Sequence, residues 1–310
     1  MRIGFLTRRL FLVIPTFLGV TIVVFLLIHL TPGDPVVSML GENYDPDVAA
    51  KIRHDLGLDR PPIVQYFVWL GRVLHGDLGT SIYTGDPVLT LIGEKVSTTV
   101  TLALGAMAIA ILIAVPLGVL SAIFKDSLFD NVSRVLCMIG ACMPVFWLGL
   151  ILIILFAVKI EIFPPGGTIA EYGLKAIVLP WFAIGFFNAA YITRMMRASM
   201  IEVLSEDYIR TAKAKGVPGR GIYFRHALKN AILSVITVIG MQLGLILGGA
   251  VLTETVFNLP GLGRLLILSV GRRDYPVIQG CILVIVSAFV FSNLLVDVLY
   301  RFIDPRVKLK

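Results

Sequence analysis

Nucleophiles, general bases and phosphate-cradling glycines are the residues whose spacing would mark an enzyme, and this chain sets few of them in a working pattern. Cys137, Cys142 and Cys281 show no Cys-x-x-Cys or Cys/His spacing suited to a metal. Three is also a poor count for a disulfide framework, so they read as small apolar residues. There is no His-Glu-x-x-His and no Gly-x-Gly-Asp, and Gly79-Thr80-Ser81 carries its serine in a connection rather than at the head of an apolar helix. No Gly-x4-Gly-Lys-Ser/Thr is present, nor any Gly-Lys pair, so any nucleotide must bind on another polypeptide. No catalytic residue and no metal ligand is assigned. An ion-coupled carrier keeps ionisable groups at mid-membrane despite their cost. Here the clearest is Asp297, which has Arg301 four residues on as a pairing partner, while His29 stands at the end of an apolar run. A gradient-driven carrier, the rival from another class, has little support.

The elements that must position any site follow from composition. Charged residues are 15% of the 310, against roughly 25% in ordinary soluble domains, while 57% are hydrophobic. With a mean hydropathy of +0.90, this excludes a soluble enzyme, a disordered chain and a disulfide-stapled secreted domain. The chain reads as an all-α integral membrane protein. Six stretches approach the roughly 20 apolar residues a crossing needs: Leu10–Leu30, Thr98–Phe124, Val135–Val158, Ala176–Thr193, Ala231–Leu252 and Val277–Ile303. The first exceeds the h-region of a signal peptide and reads as a retained anchor. Six crossings put both termini on one side. That side carries 17 Arg and Lys against 10 opposite, which makes it cytoplasmic. The net charge of +7 is thereby assigned to topology and not to nucleic acid. Asn131-Val132-Ser133 has the form of a glycosylation sequon but falls on the cytoplasmic side, and reads as chance.

The connection of residues 31–96 is then extracytoplasmic and folded. Asp34-Pro35, Asp45-Pro46 and Asp86-Pro87 each have the form of an N-cap followed by proline at the first helical position. Gly57 and Gly76 read as helix stops, and Ile63, Phe67, Leu70 and Leu74 follow helical spacing as one buried face. The recurrence of Gly-Asp-Pro-Val at Gly33 and Gly85 reads as a reused turn, not a duplication. In the fifth span Gly240, Gly244 and Gly248 recur every four residues and predict close helix packing. Gln242, Glu254 and Asn188 are polar side chains in or at the ends of these apolar stretches. The loop Asn258–Arg264, with two glycines and a proline, predicts a compact turn.

The cytoplasmic loop 199–229 is too long and too well capped for a plain connector. Ser205 is placed to cap a helix starting at Glu206-Asp207, with Lys213 and Lys215 in its last turn. Gly216 then ends it and Pro218 bars continuation, each choice matching the helix dipole. Tyr208, Ile209 and Ala212 gather on one face, with Asp207, Arg210 and Lys213 on others. With only two large apolar groups, such a helix suits a socket on a partner protein better than a lipid surface.

Here the residues resemble a known family. Tyr208-Ile209-Arg210-Thr211-Ala212-Lys213-Ala214-Lys215-Gly216, followed by His226-Ala227-Leu228-Lys229-Asn230, is similar to the "EAA loop" of binding-protein-dependent ABC importers, in their dipeptide/oligopeptide permease branch. Ala212, Gly216 and Leu228 keep the general register. Arg210 replaces its Glu, Thr211 its first Ala, His226 its Ile and Lys229 its Pro, departures usual in the peptide branch. The resemblance runs along almost the whole chain, through Thr31-Pro32-Gly33-Asp34-Pro35, Gly76-Asp77-Leu78-Gly79, Leu259-Pro260-Gly261-Leu262-Gly263-Arg264, Arg273-Asp274-Tyr275-Pro276-Val277 and Asp304-Pro305-Arg306.

The resemblance implies a type I ABC importer permease fold of six transmembrane helices, with a small helical extracytoplasmic segment between the first two. The organisation expected is an N-terminus and first span over 1–30, the outer segment over 31–96, a permease core over 97–303 and a cytoplasmic tail over 304–310. It implies a multi-pass subunit of the bacterial inner membrane. Its partners would be a homologous second permease, two ABC ATPase subunits that bind the ATP and Mg, and an extracytoplasmic solute-binding protein. The chain itself would hold no cofactor. Glu206, Asp207, Tyr208, Arg210, Thr211, Ala212, Lys213 and Gly216 would form the ATPase-coupling helix. Gln242, Glu254 and Asn188 would be candidates for the translocation path, with a helix-joining hydrogen bond as the other reading of Gln242, and the turn Asn258–Arg264 would lie near that path or touch the binding protein. The cargo would be di- or oligopeptides, with glutathione, nickel complexes or another small solute as alternatives on the same machinery.

Overall fold

The computed structural model describes residues 3–30, 36–37, 45–55 and 58–303, without the side chains of 3–12, 27–30, 52, 55, 296–297 and 299–303. Expectations for Asp34-Pro35, Gly57, the tail 304–310 and the side chains of His29, Asp297 and Arg301 lie outside the described residues. Among the described residues the chain is helical, with one isolated β-bridge between Thr80 and Pro87. The helices are α1 (Ile3–Leu30), α2 (Pro46–Asp55), α3 (Pro62–Leu74), α4 (Val88–Ile123), α5 (Leu128–Cys142) and α6 (Val145–Leu152). There follow a π-helical turn Ile153–Lys159, α7 (Ile169–Tyr172), α8 (Lys175–Leu204), α9 (Asp207–Ala214), a second π-helical stretch Gly221–Ala227, α10 (Leu228–Gly249), α11 (Val251–Val256), α12 (Leu262–Arg272) and α13 (Tyr275–Ile303).

Helices stand at all six expected crossings. Four are long and apolar enough to span a bilayer: α4, α8, Gly221–Gly248 and Tyr275–Leu295. The 28-residue α1 has Val13–Leu26 as its described apolar stretch. The third expected span, Val135–Val158, is not straight. It is a pair of helices, Leu128–Cys142 and Val145–Lys159, meeting at 100°. Pro144 has no N–H to continue the ladder and drives Met143 to extended backbone at φ −82°, ψ 121°. The fourth outruns its expected bounds: α8 has 30 residues, about 45 Å of helix.

Contacts divide the chain into two units. The first comprises Met1–Thr98 and Pro260–Val290. Val88, Ile92, Leu262, Val277 and Cys281 form its apolar centre. Asp274 is buried there, taking the Ser81 hydroxyl on one carboxylate oxygen and the Ile82 N–H, at 3.1 Å, on the other. The guanidinium of Arg272 lies 4.1 Å from the centre of the Tyr83 ring. The turn 81–84 is thus pinned to the turn that opens α13. Asp45 caps α2 as expected, its Oδ1 accepting from Asp47 N–H at 2.9 Å, and Gly76 ends α3 at φ +82°. Asp86-Pro87 opens a helix one residue later than expected: Pro87, held in the bridge to Thr80, takes the capping place, its carbonyl accepting from Thr90 and Leu91 N–H at 3.0 and 3.2 Å, and α4 starts at Val88.

The face expected to be buried on α3 is the outward one. Ile63, Phe67 and Leu74 are 63%, 62% and 77% exposed, and no residue of α3 is fully buried. Contact is made by the other side, where Tyr66 and Trp69 pack on Phe25 of α1 at ring-centre distances of 5.4 and 5.9 Å. Helical spacing identifies an apolar stripe but not the medium that covers it.

The second unit, Thr99–Leu259 with Phe291–Lys310, is centred on α8. Its core includes Leu102, Ile177, Ile192, Met196, Met200 and Phe257. Close approach of α4 and α8 rests on small residues. A Cβ at Gly118 would sit 2.7 Å from Met196 Cβ, and one at Gly185 2.9 Å from the Ala106 carbonyl. A Cβ at Gly105 would meet Trp181 ring atoms at 2.0–2.5 Å. That indole also donates to the Thr101 carbonyl at 3.0 Å, so it is fixed on both counts. Gly105→Ala is expected to displace Trp181 and cost about 1–3 kcal/mol. A lowered melting temperature of the detergent-purified chain, with Gly71→Ala (open space at its Cβ) as the unaffected control, is the check.

Candidate functional site

The loop of residues 199–229 folds as a short rod at the end of a long one. Ser205 does not cap α9. It closes α8 in helical conformation, its hydroxyl donating to the Glu202 carbonyl at 2.7 Å. The boundary residue is Glu206, the one extended position between the two helices (φ −67°, ψ 149°), and its side chain makes no cap bond. The rest of the local reading agrees with the geometry. Asp207 lies in the first turn and Lys213 in the last, and Gly216 stops the chain at φ +75°. Val217 N–H returns to the Ala212 carbonyl at 3.2 Å.

The eight residues of α9 have two faces. Ile209 and Ala212 are buried, on a helix that packs against the π-helical stretch Gly221–Ala227. Tyr208 reaches the start of α10, where its hydroxyl accepts from Asn230 Nδ2 at 2.8 Å. Glu206, Asp207, Arg210, Thr211 and Lys213 are exposed, with Arg210 and Asp207 paired at 3.2 Å across one turn. The exposed face is therefore charged and regular, while the hidden face and Tyr208 fasten the helix to the chain that leads into α10. Ala212 belongs to the hidden face.

One constellation that sequence reasoning missed is anchored on α8, the helix that ends at this rod. Asp130, fully buried near the start of α5, takes a fork from Arg197 of α8: Nε to Oδ1 and Nη2 to Oδ2, both at 2.6 Å. Ser121 of α4 donates to the same carboxylate at 2.5 Å, and the Asp126 N–H at 3.0 Å. Ser127 caps α5 by accepting from the Asp130 N–H at 3.3 Å. Ser127 three residues before Asp130 is a cap signature legible in sequence; the pairing with Arg197, 67 residues away, is not.

The path candidates do not converge. Gln242 is half-buried in a cleft of about 660 Å³ between α8 and α10, beside Tyr191, Arg194, Val238 and Leu245. Asn188 does not line that cleft. It is buried within α8, donating to the Ile184 carbonyl at 2.8 Å. Glu254 is fully buried in α11 and accepts from the Thr99 hydroxyl at 2.7 Å. Gly240 and Gly244 are buried and Gly248 half-buried on α10, which packs along α8. Among the described residues no three His, Cys, Asp or Glu side chains gather as metal ligands would.

Residues 114–309 match the family described as "Binding-protein-dependent transport system inner membrane component", and residues 2–103 match "Binding-prot-dependent transport system membrane comp, N-term". The dipeptide transport system permease protein DppB of Escherichia coli (strain K12) is 41% identical over 99% of both chains. DppB of Alkalihalophilus pseudofirmus is 42% identical over the same shares. Among solved structures, the inward-facing MetNI methionine ABC transporter matches with a TM-score of 0.58 and 19% identity, covering 70% of this chain and 97% of that one, a likeness of fold.

Removing one partner of a buried ion pair strands the other charge, at about 3–5 kcal/mol. Asp130→Ala is expected to lower stability by that order. Arg197→Lys, which keeps the charge and loses the fork, should cost less. Thermal unfolding of the purified chain measures both; equal stability of Asp130→Ala and the parent would show the pair to be idle.

Proposed function

Because the chain belongs to the family of binding-protein-dependent transport system inner membrane components, we propose that it is the transmembrane permease subunit of an ATP-driven importer, passing di- or oligopeptides delivered by a solute-binding protein. The substrate class rests on full-length relatives named as dipeptide permeases. The observation that carries the mechanism is α9: a rod with a charged exposed face, joined to α8 through the single extended residue Glu206. Two ATPase subunits grip that face in this reading, and ATP and Mg are bound on them. A homologous second permease completes the membrane path. The excess of Arg and Lys on one side of the chain supports a cytoplasmic position for both termini and hence for α9.

The chemistry assigned to this chain is mechanical. Closure of the ATPases displaces α9. Ile209 and Ala212 carry the displacement to the stretch leading into α10, Tyr208 to Asn230, and the Glu206 joint to α8. Arg197 passes it through Asp130 to α4 and α5. Packed helices then move as bodies, since each contact is stiff.

Gly216 is the sharpest test of the lever. A Cβ there meets no atom within 4 Å, so the cost of substitution is backbone strain alone. Gly216→Val should cost about 1–2 kcal/mol and lower ATP-coupled dipeptide uptake by roughly tenfold with normal membrane levels, whereas Gly216→Asn should retain most of it. Full uptake by the Val variant would refute the lever. The partner assignment is tested with a cysteine crosslinker at Lys213, on the exposed face: it should capture an ATPase subunit in intact cells. Gradient-driven uptake by the chain alone, insensitive to ATP depletion, would instead support an ion-coupled carrier. Competition by glutathione or nickel complexes but not by dipeptides would reassign the cargo.

A further inference from the structure

We infer that α3 is a membrane-surface helix, with Ile63, Phe67 and Val68 set among lipid acyl chains, and not part of a water-bathed outer domain. The inference rests on membership of a membrane family and not on the peptide reading. Its starting point is where α3 is attached. The Tyr66 hydroxyl lies 2.9 Å from the Thr21 hydroxyl. Thr21 already donates to the Leu18 carbonyl of its own helix at 2.9 Å, so Tyr66 supplies the proton. Thr21 is nine residues before the end of α1 at Leu30, about 13 Å along the axis. It also lies inside the apolar stretch Val13–Leu26. A helix fastened there by Tyr66, with Trp69 against Phe25, sits at the level of the hydrocarbon edge.

The distribution of polar groups agrees. From Pro62 to Gly71 the polar side chains of α3 are those of Gln65, Tyr66 and Trp69, two of them aromatics of the kind enriched at membrane interfaces. Gln65 spends its amide protons on the Leu58 and Arg60 carbonyls at 3.2 and 2.8 Å, so both donors are met within the protein. Charge is confined to the ends: Asp59 and Arg60 before the helix, Arg72 in its last turn and Asp77 beyond it. A helix of about 20 Å with wet ends, an apolar outward face and aromatic groups on its inner side lies parallel to the surface, not across it. On α1, the helix that carries α3, Leu18, Ile22, Val23 and Leu26 are exposed as well, apolar side chains within its apolar stretch. Lipid is the occupant that suits the outward side chains of both helices.

The test uses nitroxide labels on single cysteines, in the full-length chain with Cys137, Cys142 and Cys281 replaced by Ala, assembled with its transporter partners and reconstituted in phospholipid vesicles. Labels at Ile63, Phe67 and Val68 should collide several-fold more with oxygen, which concentrates in acyl chains, than with a water-soluble nickel chelate. Labels at Arg60 and Asp77 should show the reverse order. All five positions are exposed, so labelling leaves the packing intact. Chelate-dominated collisions at Phe67 would place α3 in water and overturn the inference. Protection of Phe67 from both reagents would overturn it too, by showing that a protein covers the face. Because no uptake is measured, a wrong cargo or lever assignment would not move this result.

Discussion

A carboxylate removed entirely from solvent in so apolar a chain sets the terms for the second unit. Asp130 is held by a forked guanidinium, a hydroxyl and a backbone N–H, so every strong acceptor direction is met within the protein. Such a group is costly to bury and far costlier to strand. Its partners come from α4, the α4–α5 turn and α8. The conformation that satisfies it therefore fixes three pieces of chain at once, which is a stronger specification than apolar packing supplies in lipid, where one greasy surface is much like another. The turn is bent to serve it: Asp126 adopts a φ of +64° to aim its N–H inward.

Around that constraint, proximity is gained by subtraction of side chains. Gly105, Gly118 and Gly185 are places where even a methyl group would collide with a neighbour. The indole of Trp181 fills the gap at Gly105 and hydrogen-bonds the Thr101 carbonyl one turn away. The same economy holds in the first unit, where Gly280 admits Val88 and where Asp274 gathers Ser81 and Ile82.

What the sequence made legible was periodic or local. The apolar runs, the Asp45 cap, and the charge order and left-handed stop of α9 all follow from rules that act within a few residues. What it hid was long-range or contextual. Asp130 and Arg197 are 67 residues apart, Ser81 and Asp274 are 193 apart, and nothing local announces either pair. The glycines at every fourth position of α10 were visible by spacing, whereas Gly105 and Gly118 matter because of a tryptophan and a methionine on another helix. Ser205 misled because a serine before two acids has the form of an N-cap, and the long α8 claimed it first. Pro144 was in plain view. Its 100° consequence is hidden because the apolar run continues unbroken across the bend.

The joint at Glu206 has a kinematic meaning. With helical residues on both sides of one extended position, the direction of α9 relative to α8 depends chiefly on a single pair of torsion angles. A tug on the short rod then has no slack in which to dissipate: either those two angles turn, or 30 residues of α8 tilt with it.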